Sequence, residues 1–199
     1  MPHRPLTKGE VALAKTVFGD AIDYERVTIT EGQFVPFQPH GTAMAPEGNL
    51  YMYGCYRDDY STGNVYTQGH FIHEMTHVWQ FQNKLLQPIA AAVALNLKYK
   101  FNYMASYHYE LDGEQDLLAY NMEQQASIVQ DYFVLTHGGH PGYRGECRNA
   151  ETPEAKRALY EKTLGKFKQN PGYAKRDSFP KPSLFGKKKN GGKPKPPAA

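Results

Sequence analysis

Phe71-Ile72-His73-Glu74-Met75-Thr76-His77-Val78-Trp79-Gln80 contains the pattern His-Glu-x-x-His within an apolar run. Phe71, Ile72, Met75, Val78 and Trp79 recur at the period of an α-helix, so a helix is predicted independently of the motif. Gly69 before the run and Pro88 after it limit that helix to about Gln68–Leu86. Residues four apart on a helix share a face, so His73 and His77 can present imidazole nitrogens to one point. Two imidazoles there suit Zn²⁺, at Zn–N distances of about 2.0–2.1 Å. Glu74, one residue on, is turned aside, where a carboxylate reaches a metal-activated water without being a ligand.

Zinc in a hydrolytic site takes three protein ligands and leaves one position open. The third ligand is expected to be Glu123, in Tyr120-Asn121-Met122-Glu123-Gln124-Gln125-Ala126. It interrupts the apolar edge of a predicted helix, where an unpaired carboxylate is costly. Small neighbours, Ala119 and Ala126, would let that helix approach the His73–His77 helix. Asp116 is the next choice, followed by Asp112, His108 and His137, while His70 lies one turn before His73.

The rest of the chain reads as α+β, mainly helical. Leu6–Phe18 is a helix with a Thr7/Glu10 capping box and Gly19 as its stop. Val27–Thr30 and Asn49–Tyr53 are strands, separated by a Pro- and Gly-rich loop over Gly32–Gly48. Further helices are predicted over Ile89–Met104, Glu114–Leu135 and Thr152–Leu164, the last opened by Thr152 and Pro153. Composition changes after Gly165. Met1–Gly165 carries 13 Lys/Arg against 19 Asp/Glu, a balance of −6, while Lys166–Ala199 carries ten against one, a balance of +9. A domain over 1–165 with a flexible basic tail over 166–199 is therefore expected, the tail suiting an anionic partner.

Ile89–Leu97 is too short to span a bilayer, so no transmembrane segment is expected. Met1–Glu10 is polar and lacks the apolar core of a signal peptide, which implies synthesis into the cytoplasm. On the same ground Cys55 and Cys147 are expected to be reduced thiols.

His73-Glu74-x-x-His77 followed by a helical Glu123-x-x-Ala126 resembles the zincin metallopeptidases, specifically those with a glutamate as third ligand. The resemblance implies zinc held by His73, His77 and Glu123, and Glu74 as general base in hydrolysis of a protein or peptide substrate. Where such enzymes carry an aspartate four residues after the ligand glutamate, this chain has Ser127. Leu6–Glu10, Phe37-Gln38-Pro39 and Phe71–Gln80 also resemble small bacterial zinc peptidases and relatives of Vgr spike proteins, encoded near type VI secretion or Rhs systems. That resemblance implies an effector exported by a specialised secretion system, with a spike or Rhs protein as partner. Tyr107, Tyr109, Tyr120, His108 and His137 all qualify as donors to an oxyanion. Two rival functions are a non-catalytic adaptor on the same scaffold and an endopeptidase of cell-wall cross-links.

Overall fold

The computed structural model describes residues 3–87, 90–92, 102–142 and 145–180. The fold is α+β, mainly helical, with two small sheets. In chain order the strands are β1 (His3–Pro5), β2 (Thr28–Thr30), β3 (Thr42–Met44), β4 (Leu50–Tyr53), β5 (Tyr109–Leu111) and β6 (Gly145–Cys147). The helices are α1 (Lys8–Phe18), α2 (Val65–Gln82), α3 (Met122–Thr136), α4 (Pro153–Thr163) and α5 (Gly165–Gln169).

Every residue of α2 from Phe71 to Gln80 is buried, which makes it the central element. It begins three residues before the predicted start, because the Asn64 side chain accepts the amides of Tyr66 and Thr67 at 3.1 and 3.0 Å. Such a cap satisfies amides that the first turn cannot. Gly69 therefore sits inside the helix rather than ahead of it. A Cβ there would stand 2.7 Å from Val134 Cγ2, so glycine lets α3 pack close. Lys84, at φ +55°, follows the cap residue Asn83 and turns the chain away before Pro88 is reached.

One sheet has the order β1-β2-β4-β3, with β2 and β4 parallel and the other neighbours antiparallel. Alternation on β4 buries Leu50 and Met52 completely. β1 and β3 differ from expectation; each has three residues, and β3 lies inside the stretch predicted as loop. Gln38 supports it from that loop, donating to the carbonyls of Thr42 and Tyr51 and accepting the Phe34 amide. The predicted box of α1 forms, and its Glu10 is fully buried. That carboxylate accepts from the two terminal Arg4 guanidinium nitrogens at 2.8 Å and from the Tyr60 amide at 3.0 Å, tying β1 to the turn before α2.

α3 starts eight residues later than the predicted Glu114. Asp116 instead accepts the Leu118 amide and caps a separate 3-10 turn, Leu117–Ala119, and Asn121 then caps α3. Consequently Leu118 is exposed and is not on the apolar stripe that Met122, Val129 and Phe133 bury. Ala119 is exposed too, so of the two small neighbours only Ala126 meets the interface. β5 and β6 pair in parallel as a second sheet. The predicted helix Ile89–Met104 lies largely outside the described residues; its last positions enter a 3-10 turn, Tyr103–Tyr107. Among the described residues no helix is long and apolar enough to cross a membrane. Cys55 and Cys147 are both free thiols.

The expected boundary at Gly165 does not hold. α4 forms as predicted, but α5 follows at once, and Phe167 is buried edge-on against Phe18 and Trp79. Trp79 Nε1 donates to the Pro171 carbonyl at 2.8 Å, the Tyr173 hydroxyl to Asp116 at 2.9 Å, and the Arg176 amide to the Asn83 carbonyl. Residues 166–180 are thus a strap over the back of α2. The Lys-rich end, residues 181–199, lies outside the described residues. Phe167→Ala is expected to cost about 3–5 kcal/mol, the range for emptying a buried aromatic site. Urea unfolding of the full chain measures it, and a loss below about 1 kcal/mol would mean the strap is not part of the core.

Candidate metal centre

α2 supplies His73 and His77 from one face, and the first turn of α3 brings Glu123 against them. Asn121 fixes that turn by accepting the amides of Glu123 and Gln124 at 2.9 and 3.0 Å. All three side chains are about 95 % or more buried. Glu123 Oε2 lies 3.5 Å from His73 Nε2 and 3.4 Å from His77 Nε2. Ligands at about 2.0–2.1 Å in a tetrahedral zinc site stand roughly 3.3–3.4 Å apart, so these donors are spaced as a zinc ion would need. The trio can hold a metal ion, and no second group of three such side chains comes together among the described residues.

The surrounding bonds turn the lone pairs of His77 and Glu123 inward, while His73 Nδ1 is buried without a hydrogen-bond partner among the described residues. Gln80 uses its amide nitrogen to donate to the Met122 carbonyl and to Gln125 Oε1, at 3.0 and 2.9 Å. Its Oε1 therefore accepts from His77 Nδ1, at 2.9 Å, and in neutral His77 the free lone pair is on Nε2. Gln125 is fixed in turn by donating to the Tyr120 carbonyl at 2.7 Å. The Tyr103 hydroxyl donates to Glu123 Oε1, which leaves Oε2 facing the histidines. The His73 ring stacks on Tyr107, with centroids 5.9 Å apart. Burial disfavours charge on His77, but Glu123, Glu74 and the Gln80 hydrogen bond together outweigh it and raise the imidazole to a pKa of about 9. Burial likewise opposes charge on Glu123, yet His77 and His73 hold it well below the usual carboxylate range. The pocket is built to contain positive charge.

Glu74 is buried beside this trio without belonging to it. Its Oε1 lies 3.7 Å from His70 Nε2, and its Oε2 has no hydrogen-bond partner among the described residues. It opens on a cleft of about 520 Å³ lined by Thr42, Ala43, His70, His73 and Tyr107 among others. The alternative ligands lie elsewhere. Asp116 caps its turn, Asp112 accepts the Glu114 amide, and His108 is exposed with its carbonyl taking Gln124 Nε2. His137 is exposed, its Nδ1 facing the Phe133 carbonyl. Gln80 and Tyr103 were missed from sequence. Gln80 stands one turn after His77 and was visible as a polar break in the apolar run; nothing local marks Tyr103.

No protein-family model matches the chain. The type VI secretion system spike protein VgrG2b of Pseudomonas aeruginosa is 41% identical over 133 residues, covering 66% of this chain and 13% of that protein. The solved effector domain of the same VgrG2b superposes with a TM-score of 0.64 at 32% identity, over 81% of this chain and 82% of that domain. The chain belongs to the VgrG2b effector-domain family. Membership links it to Vgr-related proteins of type VI secretion, and the chain spans only a small part of the full spike protein.

Two outcomes follow from this member of the VgrG2b effector-domain family. Gln80→Ala removes the bond that orients His77 and is expected to weaken zinc binding about 10–100-fold. Below pH of about 9 the metal must displace a proton from His77. Apparent zinc affinity should therefore rise by roughly tenfold per pH unit from neutral pH and level off above that value. Titration against a competing chelator across this range measures both. A pH-independent affinity would mean that His77 is already neutral in the metal-free site and that its raised pKa is wrong.

Proposed function

We propose that the chain is a zinc-dependent peptidase domain that serves type VI secretion as an effector. The observation that carries this reading is Glu74: a buried carboxylate with an unpartnered oxygen, adjoining three convergent metal donors on an open cleft. A purely structural metal site has no need of either the cleft or a second carboxylate beside the three donors.

His73, His77 and Glu123 would hold the zinc. When bound, zinc supplies positive charge that acidifies water toward a pKa of about 7 and polarises a carbonyl. Glu74 Oε2 accepts the proton of the attacking water and returns it to the leaving amine. Tyr107 is the donor we assign to the oxyanion. Of the five donors expected it alone lines the cleft. The Tyr109 hydroxyl donates to Asp131, that of Tyr120 to the Glu110 carbonyl, His137 Nδ1 faces the Phe133 carbonyl, and His108 does not line the cleft. β3 is the outer strand of its sheet beside this cleft, where an extended peptide can add as a further strand. A VgrG-type spike is the export partner this reading implies, since the similar proteins are a spike protein and its effector domain.

A second reading, a non-catalytic secretion module with a structural metal, is favoured by those same relatives, whose names state no hydrolytic activity. Glu74→Gln separates the two. It is expected to keep one zinc per chain while cleavage of an unfolded protein falls by about 10²–10⁴-fold. Undiminished cleavage removes Glu74 from catalysis, and a zinc-loaded wild type that cleaves nothing leaves the structural module. Tyr107→Phe is expected to lower kcat by roughly 10²–10³-fold with KM little changed. Steady-state kinetics on one peptide checks this, and an unchanged kcat assigns the oxyanion to another donor.

A further inference from the structure

Glu123 uses its two carboxylate oxygens differently. Oε2 stands beside both imidazoles, 3.5 Å from His73 Nε2 and 3.4 Å from His77 Nε2, and has no hydrogen-bond partner among the described residues. Oε1 instead accepts the Tyr103 hydroxyl. A buried carboxylate oxygen without a partner is costly, so the protein satisfies one oxygen and leaves the other to a cation.

Tyr103 is held in place for this bond by the same residue that caps α3. It opens the 3-10 turn Tyr103–Tyr107, where the Ser106 hydroxyl donates to its carbonyl at 2.6 Å. Asn121 Nδ2 donates to the Ser106 carbonyl at 3.1 Å, while Asn121 Oδ1 accepts the Glu123 amide at 2.9 Å. Gln124 Nε2 adds a bond to the carbonyl of His108, just past the turn. Asn121 thus fixes both the backbone of the metal donor and the turn that brings the phenol to its carboxylate. The Tyr103 ring meets Tyr107 edge-on, with centroids 5.8 Å apart, and Tyr107 in turn stacks on His73.

A carboxylate can meet a cation with one oxygen or with both. At a centre with three protein donors, a second oxygen from Glu123 would occupy the position that a hydrolytic site keeps open. We infer that Tyr103 is a positioning residue that restricts Glu123 to one oxygen at the metal and so keeps that position free. It acts through Glu123 alone, as the hydrogen-bond partner that fixes which oxygen faces the ion. The inference rests on the zinc-peptidase reading and adds to it the residue that holds the anionic ligand in a hydrolytic and not a closed arrangement.

The test loads the full chain with Co²⁺ in place of zinc, because its visible absorption reports coordination geometry, with strong bands for four ligands and weaker ones for five. Tyr103→Phe removes a single oxygen atom and keeps the ring. The variant is expected to hold one metal per chain and an unchanged far-UV circular dichroism spectrum, while its visible bands weaken several-fold relative to the wild type. A folded, loaded variant with the wild-type visible spectrum overturns the role of Tyr103. If the variant fails to fold or to hold metal, X-ray absorption at the zinc edge of the loaded wild type decides. Four nitrogen or oxygen neighbours support the inference, and five or more overturn it. Neither readout depends on activity, so the two claims fail separately. Weakened bands in a variant whose wild type cleaves no peptide keep Tyr103 in its role and overturn the peptidase. Unchanged bands beside an active wild type overturn Tyr103 and leave the peptidase standing.

Discussion

The contact of the Glu123 carboxylate with two imidazoles, buried between α2 and α3, is the constraint on which the rest depends. Three polar side chains in a dry interface are costly unless a positive charge joins them. The interface must also be narrow, and small residues make it so: Gly69 lies against Val134, and Ala126 is fully buried. The amides of Gln80 and Gln125 then lock α2 to the start of α3, to the Met122 and Tyr120 carbonyls. One network therefore orients His77 and joins the two helices. Displacing either helix would lose both the donors and their support.

Much of this was legible in the sequence because it is local. Helical period marked α2, caps at Thr7 and Thr152 marked α1 and α4, and the interval from His73 to His77 placed two donors on one face. Glu123 was legible as an acid out of place on an apolar edge. Other features follow from distant contacts that no window of sequence contains. β3 is held in a Pro- and Gly-rich stretch by Gln38, and the start of α3 moved because Asp116 and Asn121 each cap their own turn. Residues 166–180 have the composition of a tail, yet Phe167 finds Phe18 and Trp79 in the core. Average composition cannot weigh one well-placed aromatic ring.

Orientation of the two histidines is unequal: Gln80 holds His77, while His73 Nδ1 has no partner among the described residues. Enzymes with an aspartate four residues after the ligand glutamate use a charged side chain where this chain has Ser127. Here His77 is oriented by a neutral amide, Gln80, from its own helix, and Ser127 is left facing the cleft. A neutral partner adds no second negative charge beside the three donors, so the anionic contribution to the centre comes from Glu123, with Glu74 beside it.

The central claim is that His73, His77 and Glu123 converge to bind zinc. Anomalous diffraction at the zinc edge, from crystals of the zinc-loaded full chain, tests it most directly. The account predicts one strong peak within about 2.2 Å of His73 Nε2, His77 Nε2 and Glu123 Oε2 together. A peak that excludes Glu123, or zinc held at Cys55 or Cys147 instead, would contradict it.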